Sequence, residues 1–281
     1  MLKITFFGTT TLLFDDGKDQ ILFDAHFTRP SLVKYVVGAK VKTNTRLCDK
    51  LISSHHIDRL KAIFISHTHH DHVMDAPYVA KRCGAVISGS SSARNVAIGG
   101  GVPEDRTEVF RHGSEYSIGG YKIRILKSLH SKPTKLNDDL GVPIEEPLVQ
   151  PASLRDYKEG GSYDFYVEHG DKKILIRPSF NYIEGQLDGI KADVLFLGVA
   201  GLAKADEAME TLFFAETVEK TKARLVIPVH WDNFFSPLEQ PIEGMPKVIE
   251  KTDVVFHKLA GYCEAHDVDC LIQYPCTSIK I

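Results

Sequence analysis

The stretch Ser-His-Thr-His-His-Asp-His at residues 66–72 places four histidines and one aspartate in seven positions. It directly follows the apolar run at 62–65, which is typical of a buried strand, and it precedes a helical pattern at 76–83. The cluster is therefore predicted to lie on a loop between a strand and a helix. Side chains two positions apart at an extended strand end project to the same side, so His67 and His69 can point at one metal ion.

Asp71 and His72 come where the chain turns, so their side chains can serve a second ion nearby. Zinc takes about four ligands, and a catalytic site keeps one position for water, so each ion needs a third protein ligand. His130 and His230 fit this need because each follows a predicted strand. The remaining histidines outside the cluster are interpreted as surface residues or satisfied core residues: His26, His55, His56, His112, His169, His257 and His266.

Strand and helix patterns run along the whole chain. An amphipathic helix is predicted over 206–220, with Met209, Leu212, Phe213 and Val218 facing inward. Strands are predicted at 3–7, 10–14, 20–24, 62–65, 85–87, 108–110, 121–126, 163–168, 173–177, 193–197 and 224–229.

A long segment at 131–162 contains four prolines and three glycines. That many breakers rule out regular structure over most of it, and the segment is too long for a simple turn. We predict a lid or substrate loop at 131–162 within one domain spanning residues 1–281.

Two short internal similarities indicate two related halves. The segment 17–25 resembles 170–178, and the segment 57–67 resembles 187–198. This repetition is typical of two packed sheets with outer helices.

The composition of the chain limits the kinds of binding partner that we expect. The 281 residues carry 34 Lys and Arg against 37 Asp and Glu, a net charge of −3 without a long run of either sign, so no nucleic-acid partner is expected. No stretch approaches the roughly 18 consecutive apolar residues that a membrane span requires. Five irregularly spaced cysteines favour free thiols and a cytoplasmic location.

The pattern His67-x-His69-x-Asp71-His72, with His130 and His230 downstream, resembles that of the metallo-β-lactamase superfamily. The resemblance covers nearly the whole chain and implies an α/β (α+β) fold, the αββα four-layer sandwich. It implies that His67, His69 and His130 bind one metal ion and that Asp71, His72 and His230 bind another. Asp24 matches the strand-end carboxylate that holds a ligand imidazole in its correct tautomer from outside. Within the superfamily, the chain is most similar to ascorbate-phosphate lactonase-like and N-acylphosphatidylethanolamine phospholipase D-like proteins.

One position departs from the family pattern. Members with two metals usually bridge them with an aspartate at a strand end, and here Ser179 or its neighbours stand in that place. A neutral serine brings no charge to offset two divalent ions, so the second ion should bind more weakly, or the site should work with one. Zn²⁺ is the expected metal, with Mn²⁺ or Fe as alternatives.

The resemblance and the ligand set predict a hydrolase in which a metal-activated water attacks a small ester, lactone or phosphodiester, with Asp71 as a catalytic residue. The alternatives are a metal-binding protein with reduced or no turnover and a nuclease of the same superfamily. The predicted partner is a small-molecule substrate, and a homo-oligomer is an open alternative. Residues proposed to contact an anionic substrate are His70, Arg177, and Lys132 or Lys135.

Overall fold

A computed structural model describes residues 1–133 and 138–281. Within these ranges the chain forms two large sheets and one small one. The strands, in chain order, are β1 (Lys3–Phe6), β2 (Leu12–Asp15), β3 (Gln20–Phe23), β4 (Lys40–Val41), β5 (Leu60–Phe64), β6 (Val86–Gly89), β7 (Thr107–Val109), β8 (Glu115–Ile118), β9 (Tyr121–Lys127), β10 (Ala152–Ser153), β11 (Tyr163–His169), β12 (Lys172–Arg177), β13 (Val194–Gly198), β14 (Leu225–Val229), β15 (Asp269–Cys270) and β16 (Thr277–Lys280).

The helices connect and cover these strands. The helix that begins at Thr45 is capped by Asn44, whose side chain accepts a hydrogen bond from the backbone N–H of Leu47. In chain order the α-helices are α1 (Leu32–Val36), α2 (Thr45–Ser54), α3 (His70–Val73), α4 (Ala76–Cys83), α5 (Ser91–Gly99), α6 (Glu207–Phe214) and α7 (Thr252–Ala265).

The two large sheets share one design. The first has the order β16-β1-β2-β3-β5-β6-β7 and the second the order β15-β14-β13-β12-β11-β9-β8. In each, one half is antiparallel and the other half is parallel. The segments that resemble each other in sequence contain the central parallel pairs, β3 with β5 and β12 with β13. The repetition seen in the sequence is therefore repeated in the topology.

Alternation along the strands of the first sheet separates two cores. Phe23 and Phe64 point toward the second sheet, where the ring of Phe23 lies 5.0 Å from that of Phe165. Leu22 and Ile63 point to the other face, under α2, α4 and α5. Helices α6 and α7 contribute buried residues to the core of the second sheet. The layers run helix, sheet, sheet, helix, which confirms the predicted α/β fold of two sheets flanked by helices.

The helix predicted over 206–220 differs in two ways. The α-helix ends at Phe214 and continues as a π-helical turn over Ala215–Glu219. Leu212 is 48% exposed, so its predicted inward orientation is wrong. The buried face is formed instead by Phe213, Phe214, Thr217 and Val218, and Leu212 lies beside that face because adjacent residues are about 100° apart on a helix.

The 131–162 segment is more firmly attached than its composition indicates. Its strand β10 pairs with β4, and a single 3₁₀ turn follows at Leu154–Asp156. The backbone N–H groups of Ile144 and Leu148 donate to Ser92 and Asn95 of α5. The role of this segment as a lid or substrate loop stays a prediction, and Lys135 lies outside the described residues.

Candidate metal centre

The histidine motif begins in the connection after β5, as predicted, and its last three residues lie in α3. The strand ends at Phe64, and His67 and His69 follow before α3 begins at His70. Asp71 and His72 lie in this first helical turn, so their side chains leave the chain in other directions than those of the two histidines.

His67, His69 and His130 form the first cluster. Each offers one ring nitrogen, and these nitrogens lie within 4.8 Å of one another. The ring of His130 lies 4.8 Å from that of His67 and 4.7 Å from that of His69. His130 follows the end of β9, and its Nδ1 lies 3.0 Å from the backbone oxygen of Ser131, which leaves Nε2 free to face the cluster.

Asp71, His72 and His230 form the second cluster, again with ligand atoms within 4.8 Å. Asp71 Oδ2 lies 3.3 Å from Nε2 of His230 and 3.5 Å from Nε2 of His72. The two clusters are adjacent because the rings of His67 and His72 lie only 3.7 Å apart.

A buried carboxylate supports the second cluster from behind. Asp24, directly after β3, has its Oδ2 2.7 Å from Nδ1 of His72. The same carboxylate accepts hydrogen bonds from the backbone N–H and hydroxyl of Ser66 and from the hydroxyl of Thr10. Since Nδ1 of His72 is held by Asp24, Nε2 is the atom that faces the cluster.

A second support was not predicted from the sequence. His230 has a left-handed backbone conformation with φ of 63°, and its backbone N–H donates to the backbone oxygen of Thr9 over 2.6 Å. Asp232, two residues on, accepts from the backbone N–H of Thr9 and forms a fully buried ion pair of 2.7 Å with Arg29. The Arg29–Asp232 pair thus fixes the backbone on both sides of the second cluster.

The charge states of three ligands suit a metal cation. Burial, reinforced by His72 and neighbouring histidines, holds the pKa of His67 well below its ordinary value. Burial beside His69 lowers the pKa of His130 to about 3. Burial alone would raise the pKa of Asp71, but His72 and the hydrogen bond from His230 hold it well below its ordinary range. Neutral imidazoles and an ionised carboxylate are the forms that bind metals. At His230, by contrast, burial alone would lower the pKa, but the hydrogen bond with Asp71 raises it.

The buried ring nitrogens provide a second test of fit. Nε2 of His67 and Nε2 of His72 are buried and have no hydrogen-bond partner within residues 1–133 and 138–281. Buried polar atoms without partners are unfavourable, and a bound cation would satisfy both. The donor set of five imidazoles and one carboxylate therefore fits one or two divalent ions.

Both clusters open into a cavity of about 760 Å³. Ser179, after β12, is 5% exposed and lines this cavity. His70 lies on the same side as an aromatic wall: its ring is 5.7 Å from that of Tyr35 and 6.2 Å from those of Phe234 and Phe235. Four lysine and arginine residues also line the cavity: Lys132, Arg155, Lys158 and Lys204.

Arg177 does not reach the cavity, so its predicted contact with the substrate is wrong. Arg177 is 1% exposed. Its guanidinium lies 3.3 Å from the carboxylate of Asp164 and donates a hydrogen bond to the backbone oxygen of Asn181. Asp164 and Arg177 face each other across the β11–β12 pair, and both are buried. The arginine neutralises a core carboxylate.

His26 is another residue near the site. It is fully buried, and its ring lies 6.0 Å edge-on to that of His70. Its Nε2 has no hydrogen-bond partner in the described part of the chain, so it is not the satisfied core residue that was one of its predicted environments. The five cysteines are free thiols, as predicted. None of the helices in the described part of the chain is long and apolar enough to cross a membrane.

The two facing sheets and the paired ligand clusters define a protein of the metallo-β-lactamase fold. The chain belongs to the beta-lactamase superfamily domain family, whose profile matches residues 3–230. This confirms the superfamily predicted from the histidine motif.

Three known proteins that are similar to this chain agree with this family assignment. A "UPF0173 metal-dependent hydrolase" of Heliobacterium modesticaldum is 25% identical over 275 residues, which cover 92% of this chain and 95% of the relative. The metallo-β-lactamase fold protein YhfI from Bacillus subtilis matches over 100% of both chains with a TM-score of 0.61 and 14% identity. The metallo hydrolase Igni18 from Ignicoccus hospitalis matches over 99% of this chain and 97% of its own, with a TM-score of 0.59 and 14% identity. The first of these relatives is named a metal-dependent hydrolase, and the chain shares the fold of the two solved structures.

Proposed function

We propose that the protein hydrolyses a small ester, lactone or phosphodiester with the help of one or two Zn²⁺ ions, Mn²⁺ or Fe being the alternative metals. His67, His69 and His130 would hold one ion, and Asp71, His72 and His230 the other. The observation that carries the proposal is that two three-ligand clusters lie side by side at the wall of one cavity. A divalent ion bound there activates water as a nucleophile at neutral pH and polarises a carbonyl or phosphoryl group.

Asp71 is suited to orient the attacking water. Its Oδ2 lies close to both His72 and His230, while Oδ1 is 3.8 Å from Nδ1 of His70. Oδ1 is therefore the oxygen left to accept a hydrogen bond from water, and the low pKa of Asp71 keeps that oxygen ionised. His230 fixes the other end of the carboxylate.

The cavity walls favour a substrate with an apolar or aromatic part, whereas the charged lining is mixed, because acidic residues line the cavity together with the four lysine and arginine residues: Asp138, Asp139, Asp206 and Glu250. The rings of Phe234 and Phe235 lie 4.5 Å apart, and Phe234 is 5.3 Å from the ring of His230, so the aromatic wall reaches the second cluster. Arg155 lies over the ring of Tyr35, with its guanidinium carbon 5.7 Å from the ring centre. A flat group could pack against this wall.

The test combines metal analysis with activity. Purified protein is analysed for bound metal and assayed with lactones, p-nitrophenyl esters and bis-p-nitrophenyl phosphate, with His69→Ala as the control. We expect hydrolysis of at least one class, loss of activity with a chelator and recovery with Zn²⁺ or Mn²⁺. A metal-replete protein with no rate above that of His69→Ala on every substrate would contradict the proposal.

A second function is favoured by Ser179. Because this cavity residue is neutral where the family usually has a bridging aspartate, the protein could bind metal with reduced or no turnover. The same assay distinguishes the two: stoichiometric metal without hydrolysis favours this second function.

A further inference from the structure

The first cluster is contacted by a carboxylate from the 131–162 segment. Oδ1 of Asp139 lies 3.1 Å from Nε2 of His69, and the two residues are 70 positions apart in sequence. The side chains are only 12% and 16% exposed, His69 being the more buried, so this is not a contact between two solvated surface groups.

The contact determines which nitrogen of His69 can face a metal. A carboxylate can only accept, so Nε2 of His69 carries the hydrogen and donates it to Asp139. Nδ1 then keeps its lone pair and is the atom available to the first cluster. His130 is fixed in the opposite sense, since its Nδ1 donates to the backbone oxygen of Ser131 and its Nε2 is left for the cluster.

Asp139 is itself held in place by the residues around the motif. Its backbone oxygen accepts from the N–H of Val142, whose own backbone oxygen accepts from the N–H of Gly160. The buried carboxylate of Glu159 accepts from the N–H of Gly141 over 2.8 Å, and the backbone oxygen of Glu159 accepts from the N–H of Thr68.

These bonds close a circuit. It runs from His69 to Asp139, through the turn at 139–142 to Glu159, and back to Thr68, which is next to His69 in sequence. The same segment supplies one wall of the cavity, with Arg155, Tyr157 and Lys158 among its lining residues. Hydrogen bonds therefore connect His69 to the cavity wall.

We propose that Asp139 is a positioning residue: it sets the tautomer of His69 for metal binding and couples the turn at 139–142 to the occupancy of the first cluster. The inference rests on the metal-binding part of the proposed function and is independent of which substrate is hydrolysed. Asp139 acts through His69 and does not touch the reacting atoms.

The experiment measures metal binding directly. The dissociation constant for Zn²⁺ is determined by competition with a chromophoric chelator for the unchanged protein, Asp139→Ala, Asp139→Asn and the adjacent Asp138→Ala. Partners of metal-ligating histidines are typically responsible for 10–100-fold in metal affinity, so we expect Asp139→Ala to weaken binding by about that factor. Asp139→Asn, which keeps an amide oxygen as acceptor, should recover part of the loss. Asp138→Ala should bind within about twofold of the unchanged protein, because Asp138 is exposed and solvent screens its charge.

Two further measurements separate positioning from a general loss of structure. Nitrogen-15 NMR of the histidine rings should show the hydrogen of His69 on Nε2 in the unchanged protein and a mixture of tautomers in Asp139→Ala. Hydrogen exchange at the Gly141 and Val142 amides should slow on addition of Zn²⁺ in the unchanged protein and not in Asp139→Ala.

The outcomes are distinguishable. If His69→Ala loses metal while Asp139→Ala binds it like the unchanged protein with an unaltered tautomer, the metal site stands and the role of Asp139 is overturned. If the unchanged protein binds no Zn²⁺ or Mn²⁺ at either cluster, the proposed function and this inference both fail.

Discussion

The two ligand clusters differ in what holds their side chains. In the second cluster, His72 is fixed by the fully buried Asp24, and the backbone at His230 is fixed by Thr9 and the buried Arg29–Asp232 pair. In the first cluster, the buried hydroxyl of Ser66 lies 3.2 Å from Nδ1 of His67, whereas the other two supports are partly exposed: His69 contacts Asp139, and His130 contacts the backbone next to it. One cluster is built into the junction of the two sheets, and the other depends on a connecting segment.

This difference predicts that the metal affinities of the two clusters depend on different features. A site whose ligands are already held in place has less conformational entropy to lose on binding. The second cluster has that advantage, but it lines the same cavity as Ser179, where the resemblance to the superfamily predicts a missing bridging carboxylate. The first cluster has three histidines, and the orientation of His69 depends on Asp139. Variants that remove a support, or that add the missing charge, separate these contributions.

Removing Arg29 should have the largest effect. Arg29→Met leaves the Asp232 carboxylate buried without its partner, and breaking a buried pair in this way typically costs about 3–5 kcal/mol in the free energy of unfolding. Urea denaturation with the metal removed measures this loss. The matched control is Lys50→Met, which breaks the exposed pair between Lys50 and Glu239 and should change the free energy of unfolding little, because solvent screens exposed pairs. Equal losses of unfolding free energy in the two variants would contradict the prediction that the buried pair stabilises the fold more than the exposed pair does.

Asp75, three residues after His72, makes the stability of the folded chain depend on pH. Its carboxylate accepts from the backbone N–H groups of Phe27 and Thr28, and burial, which outweighs these hydrogen bonds, raises its pKa to about 6. Because the folded pKa exceeds the unfolded value of 3.8, the folded state binds more protons between these pH values. The contribution to stability is therefore fully present below about pH 4 and is lost as pH rises through about 6.

The variant Asp75→Asn tests this dependence. The free energy of unfolding of the unchanged protein, relative to that of Asp75→Asn, should fall by about 2 kcal/mol between pH 4 and pH 6. Other carboxylates contribute equally to both proteins and cancel in the difference. Asp171→Asn, on the exposed surface, should show no such trend, and a flat difference for Asp75→Asn would contradict a raised pKa.

The sequence predicted those parts of the site that are local. His67, His69, Asp71 and His72 lie in one loop, so their spacing shows their geometry directly. His130 and His230 could be added because each ends a strand pattern, and the resemblance to the superfamily supplied the fold and Asp24. The supports that could not be predicted are contacts between distant segments. Arg29 and Asp232 are 203 residues apart and share no periodic pattern.

The error at Arg177 has a different cause. The sequence predicts that Arg177, at a strand end, contacts the substrate. The strands at 163–168 and 173–177 were both predicted, and pairing them as a hairpin would have placed Asp164 opposite Arg177. Opposite charges at facing positions of neighbouring strands stabilise each other. The pairing of Asp164 with Arg177 could therefore be predicted from the sequence, but only once the register of the hairpin was assigned.

Asp24→Asn tests the tighter support at the level of metal binding. The amide keeps the shape of the side chain but not the charge, and one of the two carboxylate oxygens becomes a donor. The contacts to Thr10, Ser66 and His72 all require an acceptor. We expect about a 10–100-fold loss of affinity for the second ion, measured by chelator competition. Asp16→Asn is the matched control because Asp16 also contacts a histidine, His169 at 3.2 Å, far from the motif in sequence. Metal affinity that is unchanged in Asp24→Asn, as in Asp16→Asn, would contradict the support.

Ser179→Asp adds charge rather than removing a support. If the second cluster is held in place but lacks negative charge, an aspartate at 179 should raise the affinity for the second ion by about tenfold or more and bring metal content closer to two ions per chain. Elemental analysis at limiting Zn²⁺ measures the content, and Ser179→Asn, equal in size but neutral, separates charge from shape. An increase in both variants would mean that side-chain length limits binding. An increase in neither would mean that the second cluster binds its ion without a bridge, and that the supports at Asp24 and Arg29 suffice.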